Sequence, residues 1–373
     1  FAAAEAMVPH ILGSYRAYLD TCTSWDLIKK STELFVCFGG VPLKNGQICQ
    51  GGTGNHYQKE SIISAASSGI EFVNVSPLKS DVMDEAGGKW LSLRPNTDTA
   101  LMLGIAHTLH IEGLSDKDFL NKYTEGFDIF LKYLLGSNDG IQKDANWAAE
   151  ICDIPANEIR ELARRMVSNR TMISMSWSLT RQDHGEQPFW MAIMLASMIG
   201  QIGLPGGGFG FGYSATNHIG GQFTILPGAA FPQAKNEIEN FIPVARISDL
   251  LLKPNENFNF DGKKYKYPDT KIVYWAGGNP FHHHQDLNRL IKAWEKPDTI
   301  ICNEWCWNTL AKRSDIVLPC TTPLERKDIM MTPRDPYVVS MSKLVDPYGQ
   351  ARNDYEIFTG IAKKMGVEKK FTE

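Results

Sequence analysis

The amino-acid sequence predicts an α/β protein built of two mostly parallel, Rossmann-like three-layer modules. Short apolar runs, typical of strands buried on both faces, alternate with longer segments that carry an apolar helical face. Polar residues follow several of these runs, at the carboxyl ends where doubly wound sheets bind their ligands. The combination occurs twice, in Phe35–Gly212 and in Lys271–Asp328.

The composition is that of an ordinary soluble globular protein. The 373 residues are 43% hydrophobic and 21% charged, which fits two or three domains. The formal net charge is −4, without a basic stripe or an acidic tail, so binding to nucleic acid or to a charged membrane surface is not expected. Pro188–Ile202, the longest apolar run, stops short of a transmembrane span. Small molecules are the expected partners.

The first module contains a βαβ unit. A buried strand at Glu33–Phe38 leaves through the sharp turn Gly39–Pro42, and a helix at Tyr57–Ser68 returns the chain to a strand at Glu71–Val75. A short strand at Trp90–Leu93 then precedes a helix that Thr97 or Asp98 caps. Further helices are predicted at Ser115–Tyr123, Phe127–Leu135, Ala145–Cys152 and Pro155–Val167.

The module is centred on Met172–Gly212. Met172–Ser176 is predicted as a buried strand, and Trp177–Gln187 as a polar loop at its carboxyl end. Pro188 opens a buried helix that reaches Ile202. The glycine run that follows predicts a hairpin, or else a place where the backbone approaches a large flat ligand.

The second module shows the same pattern after a long stretch, Tyr213–Ala234, that lacks periodicity. Asp261-Gly262 predicts a tight hairpin between Phe258 and Tyr267. Strands are predicted at Lys271–Ala276, Thr299–Cys302 and Asp315–Pro319, and a helix at His282–Trp294. We expect residues 33–224 to form the first module and residues 225–373 an incomplete second one, which residues 1–32 join as a connecting segment.

Several classes of site are disfavoured by their missing motifs. Neither G-x-G-x-x-G nor a P-loop occurs, which disfavours an ordinary NAD enzyme. The seven cysteines include no C-x-x-C pair, so neither a disulfide framework nor a zinc ribbon is predicted. His282–His284 are consecutive and project in different directions, which suits contact with an anionic ligand better than metal binding. No metal ligand and no catalytic residue is nominated.

Five short polar stretches of the sequence lie at the ends of predicted strands, and we call them the strand-end segments. Two modules of this kind suggest two nucleotides. Asp98 or Glu304 is suited to accept from a ribose or a guanine edge, and Arg181 or His283 to hold pyrophosphate. The strand-end segments are Asn96–Asp98, Trp177–Arg181, Gly277–His283, Asn303–Glu304 and Arg326–Asp328.

At these residues the sequence resembles the molybdopterin oxidoreductases of the DMSO reductase family, especially the trimethylamine-N-oxide, dimethyl sulfoxide and biotin sulfoxide reductases. The resemblance implies a molybdenum bis(molybdopterin guanine dinucleotide) cofactor held between two α/β domains, each with one guanosine end. The matching stretches are Leu91–Leu109, Asp183–Gly210, Tyr274–Leu290 and Lys312–Asp328.

Together the strand ends and the resemblance give a set of expected cofactor contacts. The family pattern is broken at Val75-Ser76-Pro77, where relatives commonly read I-D-P, and at the loop Tyr213–His218. The expected contacts are Asn96, Thr97, Asp98, Trp177, Ser178, Arg181, Gly277, Gly278, Asn279, His283, Asn303, Glu304 and Arg326.

The resemblance also implies a function. The full enzyme would reduce an S- or N-oxide with electrons from a donor protein such as a cytochrome, in anaerobic respiration. Because the chain begins at Phe1 without an initiator methionine or a leader, we expect an internal piece of a longer protein. The serine that binds molybdenum in the family is then expected before Phe1, and the piece alone is expected to be inactive. Periplasmic localisation is expected, with the cytoplasm as the alternative, and the competing function is a nucleotide-binding scaffold without redox activity.

Overall fold

A computed structural model describes residues 2–46, 54–221, 235–236, 238, 240–332 and 337–372. The chain divides into two compact units. Unit 1 comprises Phe1–Gly228 with Met331–Tyr337, and unit 2 comprises Ala229–Met330 with Val338–Glu373. Each unit has its own buried hydrophobic cluster. The predicted α/β class with two mostly parallel sheets is confirmed.

Unit 1 is organised around a five-stranded parallel sheet with the strand order β3-β2-β1-β4-β5. Its centre is buried on both faces because β1 and β4 carry continuous apolar runs, and every residue of both strands is buried. The strands are β1 (Leu34–Phe38), β2 (Glu71–Ser76), β3 (Lys89–Ser92), β4 (Thr171–Met175) and β5 (Gly208–Phe211).

Helices cover both faces of this sheet. The chain moves outward from β1 to β2 through one helix and from β4 to β5, in the opposite direction, through another. Since crossover connections are right-handed, the two helices lie on opposite faces, which produces the three layers. The helices of unit 1 are α1 (Ala2–Leu12), α2 (Tyr15–Asp20), α3 (Trp25–Ser31), α4 (Gln58–Ser67), α5 (Asp98–Ile111), α6 (Lys117–Tyr123), α7 (Phe127–Leu134), α8 (Ala145–Cys152), α9 (Ala156–Ser168) and α10 (Glu186–Met198).

The N-terminal helices belong to unit 1, which corrects the expectation that residues 1–32 join the second module. Trp25 stacks on Phe35 of β1 with ring centroids 5.6 Å apart. Tyr15 stacks on Phe211 of β5 at 5.4 Å. The aromatic rings of α2 and α3 thus pack on the central strand β1 and the edge strand β5, long-range contacts that no local sequence pattern indicates.

The glycine run forms the edge strand β5, so the hairpin prediction is wrong. Gly208–Phe211 pairs in parallel with β4 after the crossover through α10. Phe209 and Phe211 are buried, and Gly210 allows close packing because an added Cβ would lie 2.8 Å from the ring of Tyr213. The helix before it begins at Glu186, two residues ahead of Pro188, and ends at Met198 rather than at Ile202.

Unit 2 contains a three-stranded parallel sheet with the order β10-β9-β8. The predicted hairpin is confirmed as an antiparallel pair, whereas the predicted helix His282–Trp294 is two helices separated by Asp286 in a left-handed conformation. The strands are β6 (Asn257–Phe260), β7 (Lys263–Lys266), β8 (Ile272–Ala276), β9 (Thr299–Glu304), β10 (Ile316–Pro319), β11 (Asp328–Met331) and β12 (Val338–Met341). The helices are α11 (Ile247–Leu252), α12 (Pro280–His283), α13 (Leu287–Trp294), α14 (Asp354–Lys364) and α15 (Glu368–Phe371).

Within the described ranges, no helix is both long and apolar enough to cross a lipid bilayer.

Candidate functional site

The carboxyl ends of β1 and β4 meet where the strand order of unit 1 changes direction, the place where open α/β sheets bind ligands. The chain leaves β1 through Gly39 and Gly40, both with positive φ. An added Cβ at Gly39 would lie 2.5 Å from Leu179 and 2.7 Å from Ser176. Gly39 therefore lets the turn after β4 approach the end of β1.

The segment after β4 forms a short 3-10 helix, Trp177–Arg181, rather than an open loop. The hydroxyl of Ser178 lies 3.0 Å from that of Ser176, which caps the turn. Trp177 is buried, and an added Cβ at Gly212 would lie 3.2 Å from its ring. The indole ring therefore packs closely against the chain where it leaves β5. Arg181 is exposed, which leaves its guanidinium available to an anion, whereas Ser178 donates its hydroxyl hydrogen to Ser176.

Asp98 is the most perturbed of the predicted site residues. It is the first residue of α5 and is 5% exposed. Burial raises the pKa of its carboxyl to about 7, with its own backbone N–H acting in the opposite direction. Thr97 occupies the cap position, but its hydroxyl donates to the carbonyl of Arg94 at 2.6 Å. Asp98 is thus a buried acceptor whose charged form gains from any donor that a ligand brings.

The sequence did not indicate Asp81, which lies at the ends of β1 and β2. Its carboxylate accepts from the hydroxyl of Ser76 at 2.6 Å. Its carbonyl accepts from the backbone N–H of Val41 at 2.8 Å, and an added Cβ at Gly40 would clash with it. A carboxylate therefore lies beside Ser76, on a turn that no motif marks.

In unit 2 the turn after β8 has empty space beside its two glycines. Gly277 and Gly278 both have positive φ, and an added Cβ at either would meet nothing within 4 Å. Asn279 is 7% exposed, and its Oδ1 accepts from the backbone N–H of Phe281 at 3.0 Å. Its Nδ2 is buried and has no partner among the described residues. The next residues, His282 and His283, are exposed.

The two buried polar residues at the end of β9 bind mainly other parts of the protein. The Oδ1 atom of Asn303 accepts from Tyr274 at 2.9 Å, and its Nδ2 donates to Asp354 at 2.8 Å. The carboxylate of Glu304 accepts from the backbone N–H of Trp305 at 2.9 Å and from Asn308 Nδ2 at 2.5 Å. These contacts join β8 and α14 to β9 and fix the loop after it.

The structure brings the predicted residues of unit 2 together, whereas in unit 1 Asn96–Asp98 follow the edge strand β3 and Trp177–Arg181 follow β4, with β2 and β1 between those strands. In unit 2, β8 and β9 are neighbours, so Gly277–Asn279 lies beside Asn303–Glu304. Arg326 joins them because its Nη1 donates at 2.7 Å to the carbonyl of Thr321, which follows β10. Its Nε donates to Asp328 at 2.8 Å. That the sets in the two units face one shared cleft stays a prediction.

A cleft of about 530 Å³ lies elsewhere in unit 1, between α5, α7 and α10. Phe130, Tyr133, Trp190 and Met191 are among its lining residues, and none of the predicted site residues belongs to it. Its lining also includes Thr99, the residue after Asp98, and Gln187, the last residue of the predicted loop Trp177–Gln187. Among the described residues, no group of three or more His, Cys, Asp or Glu side chains is arranged to hold a metal ion.

A sequence profile of the molybdopterin oxidoreductases matches residues 15–364. The chain belongs to the molybdopterin oxidoreductase family. Family membership implies a molybdenum–pterin cofactor, and the recognition of this family from the quoted stretches is confirmed.

Characterised relatives match this member of the family over its whole length. It is 44% identical to a biotin sulfoxide reductase and to a dimethyl sulfoxide/trimethylamine N-oxide reductase, both from Cereibacter sphaeroides. It is also 44% identical to a trimethylamine-N-oxide reductase from Haemophilus influenzae. All of this chain is covered, but only 50%, 46% and 46% of the three relatives. The chain thus spans about half the length of the curated relatives it matches.

Among solved structures, acetylene hydratase from Pelobacter acetylenicus has a similar fold. The TM-score is 0.57 at 17% sequence identity, over 99% of this chain and 52% of the hydratase. At that identity the likeness concerns the fold alone.

Proposed function

We propose that this chain is the central cofactor-binding part of a molybdenum-dependent reductase that removes oxygen from S- or N-oxides. The observation that carries the proposal is the pair of parallel sheets, each with polar strand-end segments, in a chain whose full length matches reductases named for such substrates. We further propose that the cofactor is the bis(molybdopterin guanine dinucleotide) form, with one guanosine end held by each unit.

The residues at the strand ends fit a guanine dinucleotide. Asp98 offers a buried acceptor for guanine N–H groups. Asn279 Nδ2 is a buried donor that has no partner in the part of the chain that the structure describes, and Gly277 and Gly278 leave open space beside their backbone. Arg181 and His283 are exposed, as groups that neutralise pyrophosphate need to be. Unpaired buried donors and acceptors are costly, so a ligand that pairs them gains affinity.

When bound, the cofactor supplies two-electron oxygen-atom transfer, which converts an S- or N-oxide, two electrons and two protons into a sulfide or amine and water. The residues of this chain bind and orient the cofactor. Buried Trp177 and the turn that Ser176 caps exclude water from one side of the unit 1 site. We assign no catalytic residue within the chain.

The setting of the reaction is also part of the proposal. We propose a protein electron donor, such as a cytochrome, and a role in anaerobic respiration in the periplasm. The alternative compartment is the cytoplasm. Both choices rest on the family resemblance.

The test is the composition and activity of the full-length protein purified from a host that makes the cofactor. Elemental analysis is expected to give one molybdenum per chain, and acid hydrolysis two guanines. Reduced viologen should be oxidised by trimethylamine-N-oxide, dimethyl sulfoxide or biotin sulfoxide, and the 373-residue piece alone should not support this reaction. A preparation that binds nucleotide but contains no molybdenum would favour the scaffold function.

A further inference from the structure

The cleft between α5, α7 and α10 of unit 1 has the size of a small-molecule site, at about 530 Å³. Large apolar side chains line it and yet remain partly in solvent. Trp190 is 51% exposed, Ile129 is 65% exposed and Tyr133 is 40% exposed. Exposed apolar surface of this kind does not stabilise the fold, so its concentration around one cleft indicates a ligand.

The walls of the cleft are helical and are therefore in place before a ligand arrives. Trp190, Met191 and Met194 line it from α10, where residues three and four apart share one face. Phe130 and Tyr133 line it from α7, and α5 packs against both of these helices. A preformed wall of aromatic rings and thioethers lowers the entropy cost of binding.

The charge of the lining selects the ligand. Glu125, directly before α7, is the one charged residue among the described residues that line the cleft. Its carboxylate forms no ion pair within the part of the chain that the structure describes. None of the described lining residues is a lysine or an arginine, so an anion such as pyrophosphate is disfavoured. The cleft thus differs in chemistry from the strand-end segments.

The aromatic rings favour a cation because their faces carry negative electrostatic potential. The fold already uses this interaction at Tyr133, where the ammonium of Lys143 lies 4.5 Å from the ring centroid. That ammonium is paired with Asp139 at 2.7 Å, so it adds little net positive charge beside the cleft. Indole is the ring that binds cations best, and Trp190 presents half of its surface to solvent.

We propose that this cleft binds a small organic cation of the alkylammonium class. The apolar carbon atoms of the cation pack against Trp190 and Phe130, and Glu125 balances its charge. The protonated amine that an N-oxide would give on reduction belongs to this class. The inference does not depend on the proposed function, because none of the proposed cofactor contacts lines the cleft.

Ligand-detected NMR of the full-length protein at constant ionic strength tests the proposal. The probe is tetramethylammonium, and tert-butanol is an uncharged molecule of similar shape. We expect tetramethylammonium to bind with a Kd on the order of 1 mM, and tert-butanol to bind at least about tenfold more weakly. The affinity should be equal in loaded and cofactor-free protein. In protein labelled with fluorotryptophan, the fluorine resonance of Trp190, assigned by its loss in W190F, should shift with tetramethylammonium.

Variants provide the second measurement. E125Q should weaken tetramethylammonium binding about threefold and W190A about fivefold, because each removes one part of the attraction. Asp128→Asn is the matched control, since Asp128 is an exposed acid in the first turn of α7 that does not line the cleft. Its affinity should equal that of the wild type. Glu125 is exposed, so E125Q should keep the wild-type thermal transition and separates lost attraction from misfolding.

Four results would overturn the inference. Equal affinity for tert-butanol would show a plain apolar cleft, and absence of binding would show that another part of the full-length protein covers it. Binding to cofactor-free protein alone would place the cation at the cofactor site. Unchanged affinity in both E125Q and W190A would place it elsewhere. The proposed function is judged separately, by molybdenum and guanine content.

Discussion

Asp98 shows how one buried carboxyl group couples stability to pH. Its pKa is raised from 3.8 to about 7 by burial, so the folded state binds a proton more tightly than the unfolded state does. The free energy of unfolding is therefore highest at low pH and falls as pH rises from about 4 to about 7, then levels off. This is opposite in sign to the effect of a carboxylate in an ion pair.

Asp98→Asn should consequently stabilise the cofactor-free protein, since asparagine mimics the neutral form. We expect the stability difference between variant and wild type to widen by about 2–3 kcal/mol between pH 5 and pH 8. Urea unfolding at the two pH values measures it. Asp183→Asn, at an exposed position of the same unit, is the control and should show a small, constant difference. A constant difference for Asp98→Asn would mean that the carboxyl group is solvated.

Replacing Asp98 should weaken cofactor binding, even though a neutral residue there can stabilise the cofactor-free protein. Asp98→Ala removes the acceptor proposed for guanine, a charged hydrogen bond worth about 1.5–3 kcal/mol. Loss of an acidic side chain in the first turn of α5 should cost the fold only about 0.3–1 kcal/mol. The purified full-length variant should contain clearly less molybdenum and guanine than the wild type, whereas its melting temperature should fall only slightly. Unchanged occupancy with a lowered melting temperature would assign Asp98 a purely structural role.

At the scale of elements, β5 depends on a glycine that touches an aromatic ring. An added Cβ at Gly210 would lie 2.8 Å from the ring of Tyr213, which is itself buried. Gly210→Ala should therefore destabilise unit 1 by about 1–3 kcal/mol through overpacking. Gly360 lies within α14, and an added Cβ there meets nothing within 4 Å.

Gly360→Ala is the matched control, because the same substitution should stabilise unit 2 by about 0.5–1 kcal/mol through helix propensity. Differential scanning calorimetry of both variants measures the two shifts. A Gly210→Ala variant as stable as the wild type would show that Tyr213 moves aside without cost.

Local pattern predicted the elements well where residues pack within one segment. The strand at Leu34–Phe38 and the hairpin at Asp261-Gly262 lie where the apolar run and the turn residues indicate. The edge strand β5 was missed because its pairing with β4 depends on the crossover through α10 and not on its glycine-rich composition. The placement of Trp25 against Phe35 was likewise missed because it is a contact between distant segments.

The residues of the candidate site were likewise predicted where a local pattern marks them and missed elsewhere. Polar residues at strand ends identified Asp98 and Asn279, both of which are buried at the starts of helices. Sequence could not show that Asn303 and Glu304 are already bonded to protein groups, since Asp354 is brought to Asn303 by tertiary structure and Asn308 reaches Glu304 through the conformation of the loop between them. Asp81 was missed because the turn that brings it to Ser76 carries no recognisable motif.

At the scale of the whole molecule, the two units repeat one plan. In each unit the chain leaves the first strand of the parallel sheet through two consecutive glycines, which are Gly39-Gly40 in unit 1 and Gly277-Gly278 in unit 2. The turns differ in the next residue, which is Val41 in unit 1 and Asn279 in unit 2. The amide of Asn279 has no counterpart at Val41, so the two guanosine ends would be held by different groups.

The assignment of one guanosine end to each unit predicts where bound cofactor slows hydrogen exchange. Ligand binding raises the free energy of local opening at the residues it contacts. Exchange should therefore slow in peptides that contain Asn96–Asp98 and Trp177–Arg181 of unit 1, and equally in peptides that contain Gly277–His283 of unit 2. The surface helix α7 carries no predicted contact and should exchange at the same rate in loaded and cofactor-free protein. Mass spectrometry of both preparations measures this, and protection confined to one unit would show that the other does not bind a nucleotide.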